Sequence, residues 1–492
     1  MRTGLVPVAD KDEDRPRHRG WGPWLVFGAF VATLGLQLVL MITAPPHVGL
    51  VVLVLAMGAA VVFAGLGNPT VAVSLLLVSA FLRLALPNVG LPDMFVLAFA
   101  GVLGAAAIAI ARRVNRLPRL GALEAVMMLY VAWCIGSALA PHAYPATVPS
   151  TGEEFAVWRF ILTGALMPFV LYIVGRFLFD RESAVRWLLW VILGLAAYSS
   201  LVSVLQFYAP GLVWPRYIVN AALWEGRAVG VFNQPVMNGL VIVFGFALAL
   251  FLAGHASEPW WRRVGAAGVA VASIPAVYLT HTRVVWLVFG LVLVAGVLWA
   301  RNFRAGFAVT LGVAVLGVAA NWSNLTSADR SAGGVGSTNE VDDRLNMAAT
   351  SIAAIEDKPL HGWGIGRFTQ LNTYQHKQWS PGIDWERGYG LAAHHTELAI
   401  TAELGAVGLV LWLAILVLLV HRLVFALRAL PDGGLCGRGL ALVAVFAFAC
   451  WLITGQTVDL RFFDYVNMLV LLLAGLAVGW AERVAPAGRE SG

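Results

Sequence analysis

Charge is what this sequence lacks. Only 12% of its 492 residues are Asp, Glu, Lys or Arg, and 60% are apolar; a soluble domain carries roughly 25% charged residues and under half apolar. That excludes a soluble enzyme and a disordered chain. Cysteine is scarce too, with three in all. Cys134 and Cys450 fall inside apolar runs and Cys436 in a short basic connection, so no structural disulfide and no thiol metal site is expected. A cleavable leader is not visible: the first 20 residues are polar, and the apolar run from Trp24 to Ala44 is long enough to span, so it reads as an anchor. The net charge of +6 is then a record of membrane orientation and does not call for a nucleic-acid partner.

Long apolar runs are what the chain has instead. They lie near residues 23–44, 48–66, 70–86, 94–111, 122–140, 157–179, 186–208, 235–254, 264–279, 284–300, 305–320, 398–420, 439–456 and 464–481. A membrane-crossing helix takes roughly 20 residues. The expected fold is therefore all-α, a polytopic membrane helical bundle of about 12–14 spans with one large outward helical loop. Residues 1–22 are expected to be a cytoplasmic tail and 23–320 a bundle of eleven spans. The large loop follows at 321–397, then three more spans at 398–481 and a second tail at 482–492. Basic residues set the orientation. The segments assigned to the cytoplasm hold 21 of the 33 Lys and Arg, the long loop six, and short outer positions only six. Both termini are thus expected inside the cytoplasmic membrane's inner face.

The six outer exceptions are Arg83, Arg159, Arg216, Arg227, Arg283 and Arg461. Arginine at a membrane edge snorkels, pairs with an acid or lines a functional cavity. Arg159 has Glu153 and Glu154 nearby, and Arg461 has Asp459 and Asp464. A cluster of outward guanidinium groups suits an anionic ligand, because the planar fork grips phosphate oxygens in pairs.

The loop has its own pattern. From Val341 to Ile355, apolar residues recur at Leu345, Ala348, Ile352 and Ile355, an amphipathic helix ended by Asp357-Lys358-Pro359. Gly362-Trp363-Gly364-Ile365-Gly366-Arg367-Phe368 follows. No strand and no Lys-Ser pair accompanies those glycines, so a tight turn folding the chain back on the helix is expected, and a nucleotide loop is not. Trp379, Trp385 and Tyr389 offer aromatic faces that suit sugar rings or the membrane interface equally. The loop closes on His394-His395-Thr396-Glu397. An outward histidine at a membrane boundary is either a general base, since its pKa lies near neutrality, or an inert interfacial residue. Adjacent histidines diverge on a helix and no third ligand completes a metal set.

Together these residues resemble the O-antigen ligases and related polymerases of bacterial glycan assembly. Four stretches carry the likeness: Arg227-Ala228-Val229-Gly230-Val231-Phe232-Asn233-Gln234-Pro235; Thr280-His281-Thr282-Arg283 with Trp286; Pro359 leading to Gly362, Gly364, Gly366 and Phe368; and His394 with Gly405 and Gly408. The family's signature has a small amide or hydroxyl residue after the histidine, where this chain has His395, so either histidine could be the base; register names His394. Such ligases are usually described with 12 spans. The resemblance implies a multi-span, lipid-linked type of glycosyltransferase with no cofactor and no metal. Its donor would be a glycan on undecaprenyl diphosphate and its acceptor a hydroxyl of a lipid or glycan such as lipid A-core. His394 would act as catalytic base, Arg227 and Arg283 would bind the diphosphate, and Arg367 and Arg461 would assist.

Two alternatives stand beside the ligase. A repeat-unit polymerase would use the same loop, histidine and arginines. A transporter or flippase of an anionic lipid-linked glycan would show internal repeats and mid-membrane charge; no repeat is evident, and the charges sit at span edges.

Overall fold

The computed structural model describes residues 67–485, apart from 86–93, 113–119, 149–150, 221–223, 225, 302, 330–333 and 335. Its long helices are α1 (Pro69–Phe81), α2 (Met94–Arg112), α3 (Ala122–Leu139), α4 (Val157–Leu178), α5 (Glu182–Tyr208), α6 (Pro235–Gly254), α7 (Trp260–Leu279), α8 (Arg283–Trp299), α9 (Arg304–Ala320), α10 (Asn339–Asp357), α11 (Thr396–Ala429), α12 (Arg438–Thr454) and α13 (Asp464–Val484). No β-strand occurs among the described residues. Seven helices, α2 to α6, α11 and α13, are long and apolar enough to cross a membrane, and α1, α8, α9 and α12 are shorter apolar helices. This is the all-α polytopic membrane class that the composition requires. Twelve of the fourteen apolar runs each coincide with one helix; the first two, 23–44 and 48–66, lie outside the described residues.

Burial sorts the helices. α6 and α13 are covered on nearly every side, as befits helices that are apolar all round. α13 lies along α4, where Gly475 and Gly479 bring the two backbones together: a Cβ on either would collide with the Tyr172 or Arg176 carbonyl. Between helices that both prefer lipid to water, this close approach is what replaces a hydrophobic drive. α9 is the opposite case, with only Phe307 and Thr310 buried.

The described residues of the connections 140–156, 209–234, 280–282, 321–395 and 455–463 gather at one end of the bundle, tied by bonds such as Ala228 N to Leu279 O at 2.8 Å and Thr396 N to Gly455 O at 2.8 Å. We call this the loop end. At the other end the half-buried Arg186, in the first turns of α5, pairs with the buried Glu258 at 2.9 Å.

The loop is seated on a broken helix. Gly405, inside α11, has φ 68° and ψ −171°, a conformation that belongs to glycine alone. The break exposes carbonyls, and the loop chain takes them up. Trp363 N donates to Ala402 O at 2.9 Å, Gly364 N to Glu403 O at 2.8 Å, and Ala406 N to Pro359 O at 2.8 Å. Trp133 Nε1 satisfies Leu404 O at 3.0 Å. A Cβ on Gly405 would fall inside the Leu360 carbonyl. The glycine turn therefore does fold the chain back, but onto α11 as well as α10. Phe368, Leu371, Ala393, Ala354, Ala399 and Ala402 form a small second core there.

One sequence expectation is corrected in the loop. The helix is where the periodicity puts it, but its buried face is Asn346, Met347, Thr350, Ser351 and Ala354, and of the stripe Leu345, Ala348, Ile352 and Ile355 only Ile355 packs against the second core. Hydrogen bonding decides this. Asn346 Nδ2 donates to the Asp384 and Arg387 carbonyls at 3.0 Å each, and Thr350 Oγ1 accepts from Lys377 N at 2.9 Å. These bonds bind α10 to the rest of the loop and turn Leu345 and Ala348 towards a pocket beside His394.

Candidate active site

The two arginine motifs are folded into one unit at the loop end. Arg227 follows a turn whose Gly226 carbonyl meets His281 Nδ1 at 2.6 Å. Its own carbonyl accepts from Gln206 Nε2 at 2.8 Å, while Gln206 Oε1 accepts from Val229 N at 3.2 Å. Asn238 closes the same segment through the Ala228 carbonyl at 3.1 Å and Ser203 Oγ at 2.8 Å. His281 takes an unusual positive φ of 43° in the short link after α7, and Arg283 begins α8 two residues later. Buried polar groups satisfied in this manner fix a backbone firmly. The result is two half-buried guanidinium groups on one carboxylate. Glu340 lies 2.9 Å from Arg227 and 3.9 Å from Arg283, and Arg283 also donates to the Ser337 carbonyl.

His394 lines a pocket of about 210 Å³ with Arg344, Leu345, Ala348, Ser351, His395 and Gln456 among its walls. Its Nδ1 stands 2.8 Å from the Ala392 carbonyl. A carbonyl can only accept, so Nδ1 carries the proton and Nε2 keeps its lone pair. Burial lowers the histidine's pKa below 6.5. The Ala392 bond opposes that, Arg344 adds to it, and Asp343 and Asp459 pull the other way. At neutral pH the ring is a neutral acceptor, as a base needs to be.

His395 has a different task. It is the N-cap of α11, its Nδ1 accepting from Leu398 N at 3.4 Å, with Glu397 at 3.3 Å. Thr396 then pins the helix start to the α12–α13 turn, donating to Val458 O and accepting from Leu460 N, both at 3.0 Å. The uncertainty between the histidines is thus one of chemistry against capping, and geometry assigns the capping to His395.

Arg344, absent from the sequence-derived site, joins the two halves. It sits one turn after Glu340 on α10, and spacing of four residues puts both on one face. Arg283 and Arg227 help to lower its pKa after burial, and it in turn acts on His394. Its Nε is buried with no hydrogen-bond partner. The cation that shares the pocket of His394 is Arg344; Arg227 and Arg283 do not line it. The sequence offered one usable signal: Glu340 and Arg344 are charged residues on the face of Leu345 and Ala348.

Arg367 and Arg461 lie elsewhere. Arg367 straps the glycine turn to the 140–156 connection, donating to Tyr144 O at 3.1 Å and Ile365 O at 2.9 Å. Arg461 is 5% exposed and fully engaged, with Nη1 2.7 Å from Glu403 and Nη2 2.6 Å from Asp459. Glu403 also accepts from Phe368 N at 2.9 Å. Burial works against the charge of Arg461, but the two carboxylates outweigh it and hold its pKa well above the ordinary value. Neither guanidinium lines the pocket of His394, and the bonds of both serve to hold the loop end together. A one-turn widening of α4, the π-type segment Leu162–Leu166, makes room for this turn: Gly164 abuts the Arg461 carbonyl.

The pH consequence is directional. If His394 accepts a proton during the reaction, activity falls as pH drops through its pKa, below 6.5. Arg344→Gln removes a cation, raises that pKa and should move the acid limb of a kcat/KM profile to higher pH. A profile that keeps its position would separate Arg344 from the base.

Residues 268–413 match the family model described as O-antigen ligase. The matched stretch holds Arg283, Arg344, His394 and the break at Gly405, and it supports the family that the sequence motifs resemble. No curated protein matches the chain.

Proposed function

We propose, from its place in the O-antigen ligase family, that this membrane protein transfers a glycan from undecaprenyl diphosphate to an acceptor hydroxyl. The acceptor would be lipid A-core or a similar glycolipid, and the loop end would face outward from the cytoplasmic membrane, as the distribution of basic residues implies. The observation that carries the reading is a histidine held by its Nδ1–H on Ala392 and sharing a pocket with Arg344, one helical turn from Glu340, on which Arg227 and Arg283 converge.

The chemistry is one displacement. The acceptor oxygen attacks the anomeric carbon while its proton passes to Nε2 of His394. The bond from that carbon to the diphosphate oxygen breaks, and the electron pair leaves with the diphosphate. Arg227 and Arg283 offset the charge that grows there, an effect worth about 10²–10³-fold per donor in comparable sites. Attack opposite the leaving group inverts the anomeric configuration. The arginines fill the role that a divalent ion plays in other glycosyl transfers, so the reaction is expected to proceed in EDTA. Leu345, Ala348 and Leu398 give the pocket an apolar wall, fitting for a donor whose lipid stays in the bilayer.

Transfer of labelled glycan from undecaprenyl diphosphate in reconstituted membranes tests this. Wild type should form an inverted product, and Arg227→Gln and Arg283→Gln should each lose about 10²-fold or more in kcat/KM. Full activity in both variants would remove the diphosphate role. A product lengthened by repeat units, with no transfer to a lipid acceptor, would identify the polymerase.

A further inference from the structure

Glu340 occupies the place that the proposed function gives to a diphosphate. Its carboxylate touches Arg227 at 2.9 Å and approaches Arg283 at 3.9 Å. Arg344 adds a third guanidinium, close enough for Arg227 and Arg283 to act on it. The neighbouring acid, Asp343, acts on Arg344 but spends its bonds within the loop: it accepts from Gly388 N at 3.0 Å and lies 3.7 Å from Arg387. Two guanidinium groups thus share the Glu340 carboxylate, with Arg344 one turn further along α10, and the site keeps an excess of positive charge. One carboxylate can fill a single fork, whereas a diphosphate offers more oxygens and more charge. Glu340 is one-third exposed and belongs to the first turn of α10, so its side chain can swing to water without unfolding the helix.

We propose that Glu340 is a placeholder counter-ion, which the donor's diphosphate displaces from Arg227 and Arg283 while Arg344 serves as the third phosphate-binding cation. This rests on the donor site proposed above. The placeholder keeps the arginine cluster from collapsing by self-repulsion when it is empty. It also sets a threshold: a weak or singly charged anion does not outcompete a carboxylate tethered beside the same forks, and a diphosphate does. Glu340 would therefore contribute to specificity without touching the reacting atoms.

The experiment is titration of inorganic diphosphate into the full-length protein in detergent, followed by calorimetry, with melting curves to verify folding of each variant. Glu340→Gln should bind diphosphate about tenfold tighter than wild type, since a competing charge at salt-bridge distance has been removed. Arg344→Gln should bind it several-fold more weakly. Glu356→Gln, which removes the same charge from an exposed position further along α10, should bind as wild type does. Equal affinity of wild type and Glu340→Gln, with Arg227→Gln weakened, would overturn the placeholder and leave the arginine site standing. Weaker binding by Glu340→Gln would make Glu340 a strut that positions the arginines. If no form binds diphosphate, the donor site itself fails and the placeholder with it.

Discussion

Alanine at position 394 should reduce glycan transfer by about 10²–10⁴-fold in kcat, the range a positioned general base supplies, with donor KM little changed. Alanine at 395 should leave kcat within a few-fold of wild type. The contrast follows from how each ring is used. His394 spends Nδ1 on the Ala392 carbonyl and keeps Nε2 for a proton, whereas His395 closes the first turn of α11. The effect of His395→Ala belongs to stability: losing an N-cap costs about 0.5–2 kcal/mol, visible as a lower melting temperature in detergent. Transfer assays on both variants, with melts alongside, check the pair. Equal and severe loss of kcat in both would place the proton acceptor in the dipeptide as a unit. Normal kcat in His394→Ala would end the base assignment.

The second large effect is on folding. Arg461→Leu should destabilise the protein by about 3–5 kcal/mol, because it leaves two buried carboxylates without their cation. Asp459 and Glu403 both depend on Arg461, and Glu403 also holds Phe368 N, the first residue of a short loop helix. Loss of the cation would therefore loosen the loop as well as the turn between α12 and α13. Thermal melts should show the loss, and Arg461→Leu combined with Glu403→Gln and Asp459→Asn should recover much of it, since replacement of a whole buried ion group is far milder than removal of one member. A variant that melts normally but has a raised donor KM would instead return Arg461 to the ligand site.

These two cases show what could be read from the chain before its fold was known. Arg461 and Asp459 are two residues apart, so their pairing was legible as an option. Glu403 was not, since it lies inside an apolar run 58 residues earlier and only the break at Gly405 brings it to the same place. Asp464, the other expected partner of Arg461, pairs with Arg83. His394, Arg227 and Arg283 stood out because cationic or titratable residues at span edges run against the general charge bias. Arg344 and Glu340 did not stand out, because charge on a loop helix normally means solvent. Periodicity located α10 correctly, but of its apolar stripe only Ile355 packs on the second core. It weighs apolar side chains only, and here Asn346, Thr350 and Ser351 are buried for their hydrogen bonds.

The break at Gly405 has a mechanical consequence. By accepting the chain at Pro359–Gly364, it moors the middle of the long loop to the bundle, so the loop is two short leaves with a common post and not a single long flap. Glu340 and Arg344 ride on the leaf before the post, and His394 ends the leaf after it. The spacing between base and cation is therefore a property of how the leaves stand to each other. Changes far from either group, on one leaf alone, should be felt as a shift in that spacing while both groups remain intact.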